Sequence, residues 1–86
     1  MKEFADAQWG RATRALDSAE KLVSTDPDSA ASRASYAAFH AVTAVFAVRG
    51  HAFTKHSALR AALHRDLIYP GLVSPEIGKD FDFLGA

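Results

Sequence analysis

The chain has 86 residues, with ten lysines and arginines balanced by ten aspartates and glutamates, and no cysteine. A chain of this size makes one domain and buries only about 60–65% of the surface its unfolded form exposes. Without cysteine there is no disulfide, thiol nucleophile or cysteine-ligated zinc, so self-association is the remaining common way to bury more area. A homodimer or other homo-oligomer is therefore expected.

The N-terminal Met-Lys-Glu-Phe-Ala-Asp-Ala-Gln carries acids and lacks the apolar run of a signal peptide. The longest uncharged stretch lies between Arg33 and Arg49 and holds 15 residues, interrupted by Ser35, Tyr36, His40 and Thr43. A membrane span needs about 20 apolar residues. A soluble cytoplasmic protein is expected. Charge is uneven along the chain. Residues 49–65 carry Arg49, Lys55, Arg60, Arg65 and three histidines without an acid, and the acids Asp66, Glu76, Asp80 and Asp82 follow. Such a block suits an anionic ligand, a contact between subunits, or simply a solvated surface.

Residues 3–23 read as the first helix. Ala5, Trp9, Ala12, Leu16, Ala19 and Val23 step by four and three, a narrow seam suited to a small bundle. Phe4 and Trp9 are read as core or interface residues rather than a base-stacking platform. Asp26 is the expected N-cap of a second helix with Pro27 at its first position and Asp28 at the positive end of its dipole. That helix runs to about Arg49, and Gly50 supplies the left-handed residue that ends it.

The second helix is apolar almost all the way round, which marks it as central and buried. Its exceptions line up: Arg33, Tyr36, His40 and Thr43 fall at i, i+3, i+7 and i+10, on one stripe. A third helix is expected from about Lys55 to Leu67, capped by Thr54 or Ser57, with Leu59, Ala62, Leu63 and Leu67 buried. Tyr69-Pro70-Gly71 breaks it. Ser74-Pro75-Glu76 starts a short fourth helix with Ile77, Phe81 and Leu84 on its apolar side. The class is all-α: one domain over residues 1–86, an up-and-down helical bundle of three full helices and a short fourth.

Three segments carry a family likeness. Ser32 through Ala41, reading Ser-Arg-Ala-Ser-Tyr-Ala-Ala-Phe-His-Ala, resembles the Ser-Arg-Ala-Tyr-Tyr-Ala-x-Phe-His stretch of HEPN domains. Val48-Arg49-Gly50 with Lys55-His56-Ser57 resembles their Arg-Gly and Lys-Thr-His-Ser pattern, and Leu67 through Gly78 the link into the next helix. The resemblance spans roughly residues 28–80. It implies a dimerising helical bundle, often paired with a small nucleotidyltransferase in toxin–antitoxin modules. Some members are ribonucleases with an Arg-x(4–6)-His motif, and others only bind. Here Ser35 stands where a first tyrosine is usual, and no threonine separates Lys55 from His56. The chain also ends where family members continue into the helix that commonly holds the catalytic motif.

The leading expectation is thus a HEPN-like binding module for a partner protein, nucleotide or RNA. Its ligand-binding candidates are Arg33, Tyr36, His40, Lys55 and His56. Lys55 and His56 sit where free N–H groups open the third helix. A metal-independent ribonuclease using Arg33 and His40, which satisfy Arg-x6-His, is the second reading. Histidine would move a ribose proton and arginine would hold phosphate charge, although about 10.5 Å of helical rise separates the two. An inactive, shortened structural remnant is the third. No HxxH, HxH or ExxH pair occurs, so neither a metal nor a cofactor is expected.

Overall fold

The computed structural model describes the backbone of residues 2–53 and 55–84, and the side chains of all of these except 80 and 82–84. Its helices follow the expected order: α1 (Lys2–Leu22), α2 (Pro27–Val48), α3 (His56–Leu63), a π-helical turn (His64–Ile68) and α4 (Pro75–Leu84). The described residues form no strand. The chain divides into two compact units, Met1–Ala52 and Phe53–Ala86.

The first unit is a helical hairpin. Its sharpest local signals hold at both ends of α2. The Asp26 carboxylate accepts from the Ser29 N–H at 3.3 Å and from the Ser29 hydroxyl at 2.6 Å, with Pro27 at the first helical position. Those bonds hold the Asp26 pKa below its usual value, so the cap is fully ionised at neutral pH. At the other end Gly50 takes φ 85°. Its N–H donates to the Ala47 carbonyl, and the His51 N–H donates to the Phe46 carbonyl, closing a Schellman cap.

The buried face of α1 is not the one its spacing suggested. Ala5, Gln8, Ala12, Ala15 and Ala19 are buried, whereas Trp9, Leu16 and Val23 are 49–65% exposed and Phe4 is 39% exposed. The seam has turned by one residue, about 100°, replacing the large side chains with Gln8 and Ala15. Helix α2 meets it with its own alanines, Ala30, Ala37 and Ala44. Small side chains let two backbones approach closely, and tryptophan or leucine in the same seam would hold them apart. Helix α2 is also less wrapped than expected, since Tyr36, Val45 and Val48 lie in solvent.

In the second unit Leu59, Ala62, Leu63 and Leu67 are buried as expected, joined by Ile68 and Phe81. Two details differ. Helix α3 stops at Leu63 and continues as a π turn, in which the Tyr69 N–H donates to the His64 carbonyl at 2.9 Å. Its N-cap is Lys55, without a side-chain cap bond, and Ser57 lies inside the helix; Thr54 is outside the described residues. Ser74 opens α4 by accepting the Glu76 N–H at 3.1 Å. Ile77 is half exposed, and the apolar side of α4 is made by Gly78 and Phe81. Leu84 lies among the residues whose side chains are not described.

Gly78 is where α4 approaches the π turn. A Cβ there would meet Ile68 Cδ1 at 2.4 Å and His64 Cε1 at 2.8 Å. Alanine is the better helix former by up to about 1 kcal/mol. Overpacking two neighbouring side chains works against it by about 1–3 kcal/mol. Gly78→Ala should therefore lower the urea midpoint despite its helix propensity. An unchanged or raised midpoint would show that Ile68 and His64 move aside freely.

Candidate functional site

The hairpin carries two matched stripes, one on each side of the alanine seam. On α2, Arg33, Tyr36 and His40 follow i, i+3, i+7. On α1, Arg11, Arg14 and Ser18 repeat the same spacing. Together with Ala15 these six residues line one open groove of about 360 Å³. Three arginines from two helices thus line one concavity, and among the described residues no carboxylate lines it.

The polar stripe of α2 sinks as it runs. Arg33 and Tyr36 are exposed, His40 is half-buried and Thr43 is 3% exposed. Thr43 leaves the groove and turns its hydroxyl back to the Phe39 carbonyl at 2.7 Å. The Arg33 guanidinium carbon sits 5.1 Å from the Tyr36 ring centre, a cation–π contact. One turn on, the His40 ring stacks with Tyr36 at 6.5 Å and 19°. Tyr36 is therefore flanked along the helix by a guanidinium before it and an imidazole after it.

His40 is tied to α1. Its Nδ1–H donates to the Gln8 side-chain carbonyl at 2.6 Å, and Gln8 is buried. Gln8 thereby satisfies its own buried amide oxygen and fixes the imidazole tautomer, leaving the lone pair on Nε2. Burial first, and the charge of Arg11 second, hold the His40 pKa below the usual 6.5. The ring is neutral at pH 7.

The sign of the resulting pH dependence follows directly. The unfolded chain takes up the His40 proton near pH 6.5, and the folded chain resists it to lower pH. Stability from the neutral ring is complete above that value and is lost as pH falls through the lower folded-state pKa. Between pH 7.5 and 5, the Tm of the wild type should fall more steeply than that of His40→Gln. Parallel curves would remove His40 from the account.

Lys55 and His56 fall in the second unit. Lys55 is exposed at the α3 N-cap, and the His56 ring lies parallel to Phe81 at 4.9 Å and 5°. That stack joins α3 to α4 and gives His56 a packing role. Among the described residues, no three histidine, aspartate or glutamate side chains come together as a metal site. No described helix is long and apolar enough to cross a membrane.

Arg11, Arg14 and Ser18 were not singled out by the sequence reading. They repeat the α2 spacing, but only the rotation of α1 against α2 places them in the groove.

The HEPN domain model matches residues 5–86, so the chain belongs to the HEPN family. It is similar to a UPF0332 protein of Thermotoga maritima, 37% identical over 83 residues, covering 94% of this chain and 63% of that protein. The chain thus spans less than two thirds of the length of the relative it matches. No solved structure matches it.

Proposed function

We propose that this HEPN domain is a binding module that takes the phosphate backbone of single-stranded RNA in the Arg11–Arg14–Arg33 groove. The observation that carries the reading is that three arginines line one concavity and that, among the described residues, no carboxylate does. Phosphate contacts from arginine supply most sequence-independent affinity for nucleic acid. The groove favours backbone over base. Tyr36, the phenol ring lining it, already contacts Arg33 and His40, which occupy part of its ring surface.

The test is fluorescence anisotropy of the 86-residue chain with a labelled single-stranded oligoribonucleotide across a salt series. Three phosphate contacts predict a slope of log affinity on log salt of about −2. Arg33→Gln should make it shallower by about 0.7. Absence of binding at low salt would sink the proposal.

One observation favours a second reading, metal-independent ribonuclease. His40 is neutral, holds its lone pair on Nε2 and lines the groove with the arginines. That nitrogen could take the ribose 2′-hydroxyl proton while a guanidinium holds the phosphate. Arg11, whose charge already acts on His40, suits the partner role as well as Arg33 does. RNA cleavage that survives EDTA and is lost in His40→Ala supports this reading; cleavage persisting in that variant removes it.

Association with a second copy or with a nucleotidyltransferase-type partner in a cytoplasmic toxin–antitoxin setting completes the proposal. The exposed Trp9–Leu16–Val23 stripe supports it, since contiguous apolar surface commonly marks contacts. A monomer by light scattering, with nothing retained from a mixture with the neighbouring gene product, would count against it.

A further inference from the structure

Gln8 is a polar side chain buried in a seam otherwise made of alanine, and its partner is His40. An amide oxygen only accepts hydrogen bonds, so the 2.6 Å contact requires a proton on His40 Nδ1. The neutral ring meets that requirement with its proton on Nδ1, and the imidazolium meets it equally. His40 therefore changes charge at Nε2 without breaking its bond to α1 or turning its ring. A histidine whose Nδ1 accepted from a buried donor would lose that bond on protonation.

The two charge states meet the groove differently. Neutral, Nε2 is an acceptor, and so are the oxygens of a phosphodiester. Protonated, it is a charged donor, the kind of partner that makes the shorter and stronger bonds to phosphate. The charged groups lining the groove with His40 are all cationic. Arg11 and Arg14 come from α1, the helix packed against α2 in this unit, and Arg33 comes from α2 itself. Tyr36 is the other titratable side chain there, and among the described residues no acid joins them. Burial, and then the charge of Arg11, hold the ring neutral in the empty groove. A bound phosphate chain offsets the arginine charge and offers Nε2–H an acceptor.

We propose that anion binding in the Arg11–Arg14–Arg33 groove is coupled to proton uptake at His40 Nε2, with Gln8 the positioning residue that keeps the ring in place in both charge states. The proposal rests on the reading of this groove as a phosphate site, and it adds a fourth cation that accompanies the ligand. Linkage makes the coupling reciprocal: the anion favours the protonated ring, and acid favours the anion. It also sets the site apart from the ribonuclease reading, which needs the same nitrogen unprotonated.

The experiment follows the His40 ring by NMR through a pH titration of the 86-residue chain, alone, with oligouridylate and with sulfate. Neither probe takes up a proton between about pH 5 and 8, and the assigned ring signal separates His40 from His51, His56 and His64. Both probes should move the His40 midpoint upward. Oligouridylate affinity, read by anisotropy at fixed ionic strength, should rise about three- to tenfold from pH 7.5 to 5.5, the scale of one charge-assisted hydrogen bond. The rise should disappear in His40→Gln, with circular dichroism at each pH keeping loss of fold out of the comparison. If that variant does not fold, the wild-type midpoint decides alone. An upward midpoint with sulfate but no oligouridylate binding would remove the RNA reading and leave the coupling standing. A midpoint that neither probe moves overturns the coupling, even where oligouridylate binds and the RNA reading stands. A pH slope that persists in folded His40→Gln assigns the proton to another group and overturns it as well.

Discussion

Phe46→Ala should lower the stability of this chain by about 3–5 kcal/mol, the usual range for deleting a buried phenyl ring. Phe46 is 1% exposed and, with Leu59 and Leu63, is among the largest side chains of the described residues that are almost completely enclosed. Around it α2 is built from alanine, and Ala44 and Ala47 are buried as well. Alanines have no spare length with which to fill the void, so the cavity term should approach its upper end. A domain of this size has about 4–13 kcal/mol in total. The variant should therefore lose a large share of its urea midpoint with little change in slope. The Phe46 carbonyl also accepts from His51 in the α2 cap, but that bond is backbone and survives truncation. A loss below about 1 kcal/mol would mean the site collapses around the missing ring.

The elements were legible where the signal is local. Asp26-Pro27 and Arg49-Gly50 each act within a few residues, through one carboxylate and one left-handed glycine, and α2 begins and ends where they place it. The seam of α1 was not legible in the same way. Ala5, Ala12 and Ala19 belong equally to a stripe with Trp9, Leu16 and Val23 and to one with Gln8 and Ala15. Periodicity cannot choose between them, and hydrophobicity chooses the wrong one. The choice is made by α2, whose facing alanines reward close approach over bulk. The exposed tryptophan stripe is the visible consequence.

The same argument divides the groove. Arg33, Tyr36 and His40 could be read from α2 alone, because one helix fixes which of its residues share a face. Arg11, Arg14 and Ser18 could not, because membership depends on how α1 is rotated against α2. Once the alanine seam sets that rotation, Gln8 falls beside His40 and the arginines fall beside Arg33 and Tyr36. The π turn was hidden for a related reason. Nothing in His64–Ile68 marks an extra residue in the turn. It allows Leu67 and Ile68 both to be buried while Tyr69 returns toward His64.

The double variant Arg14→Glu with Arg33→Glu should weaken binding of the single-stranded oligoribonucleotide by at least about a hundredfold at low salt, roughly 2.7 kcal/mol. The change removes two of the three cations and places two anions in the same concavity, so attraction is replaced by repulsion of the phosphate chain. Both side chains are exposed, and surface substitutions of this kind usually move stability by no more than about 0.5 kcal/mol apart from special contacts. The special contact here is Arg33 on Tyr36, worth about 0.5–1 kcal/mol at an exposed site. A modest fall in Tm with an intact helical spectrum is thus the expected background against which the binding loss is read. The reversal on α1 alone and the reversal on α2 alone should each weaken binding, since the two arginines face one ligand from opposite walls. If Arg14→Glu has no effect by itself, the ligand is held by α2 only, and the groove between the helices is not the binding surface.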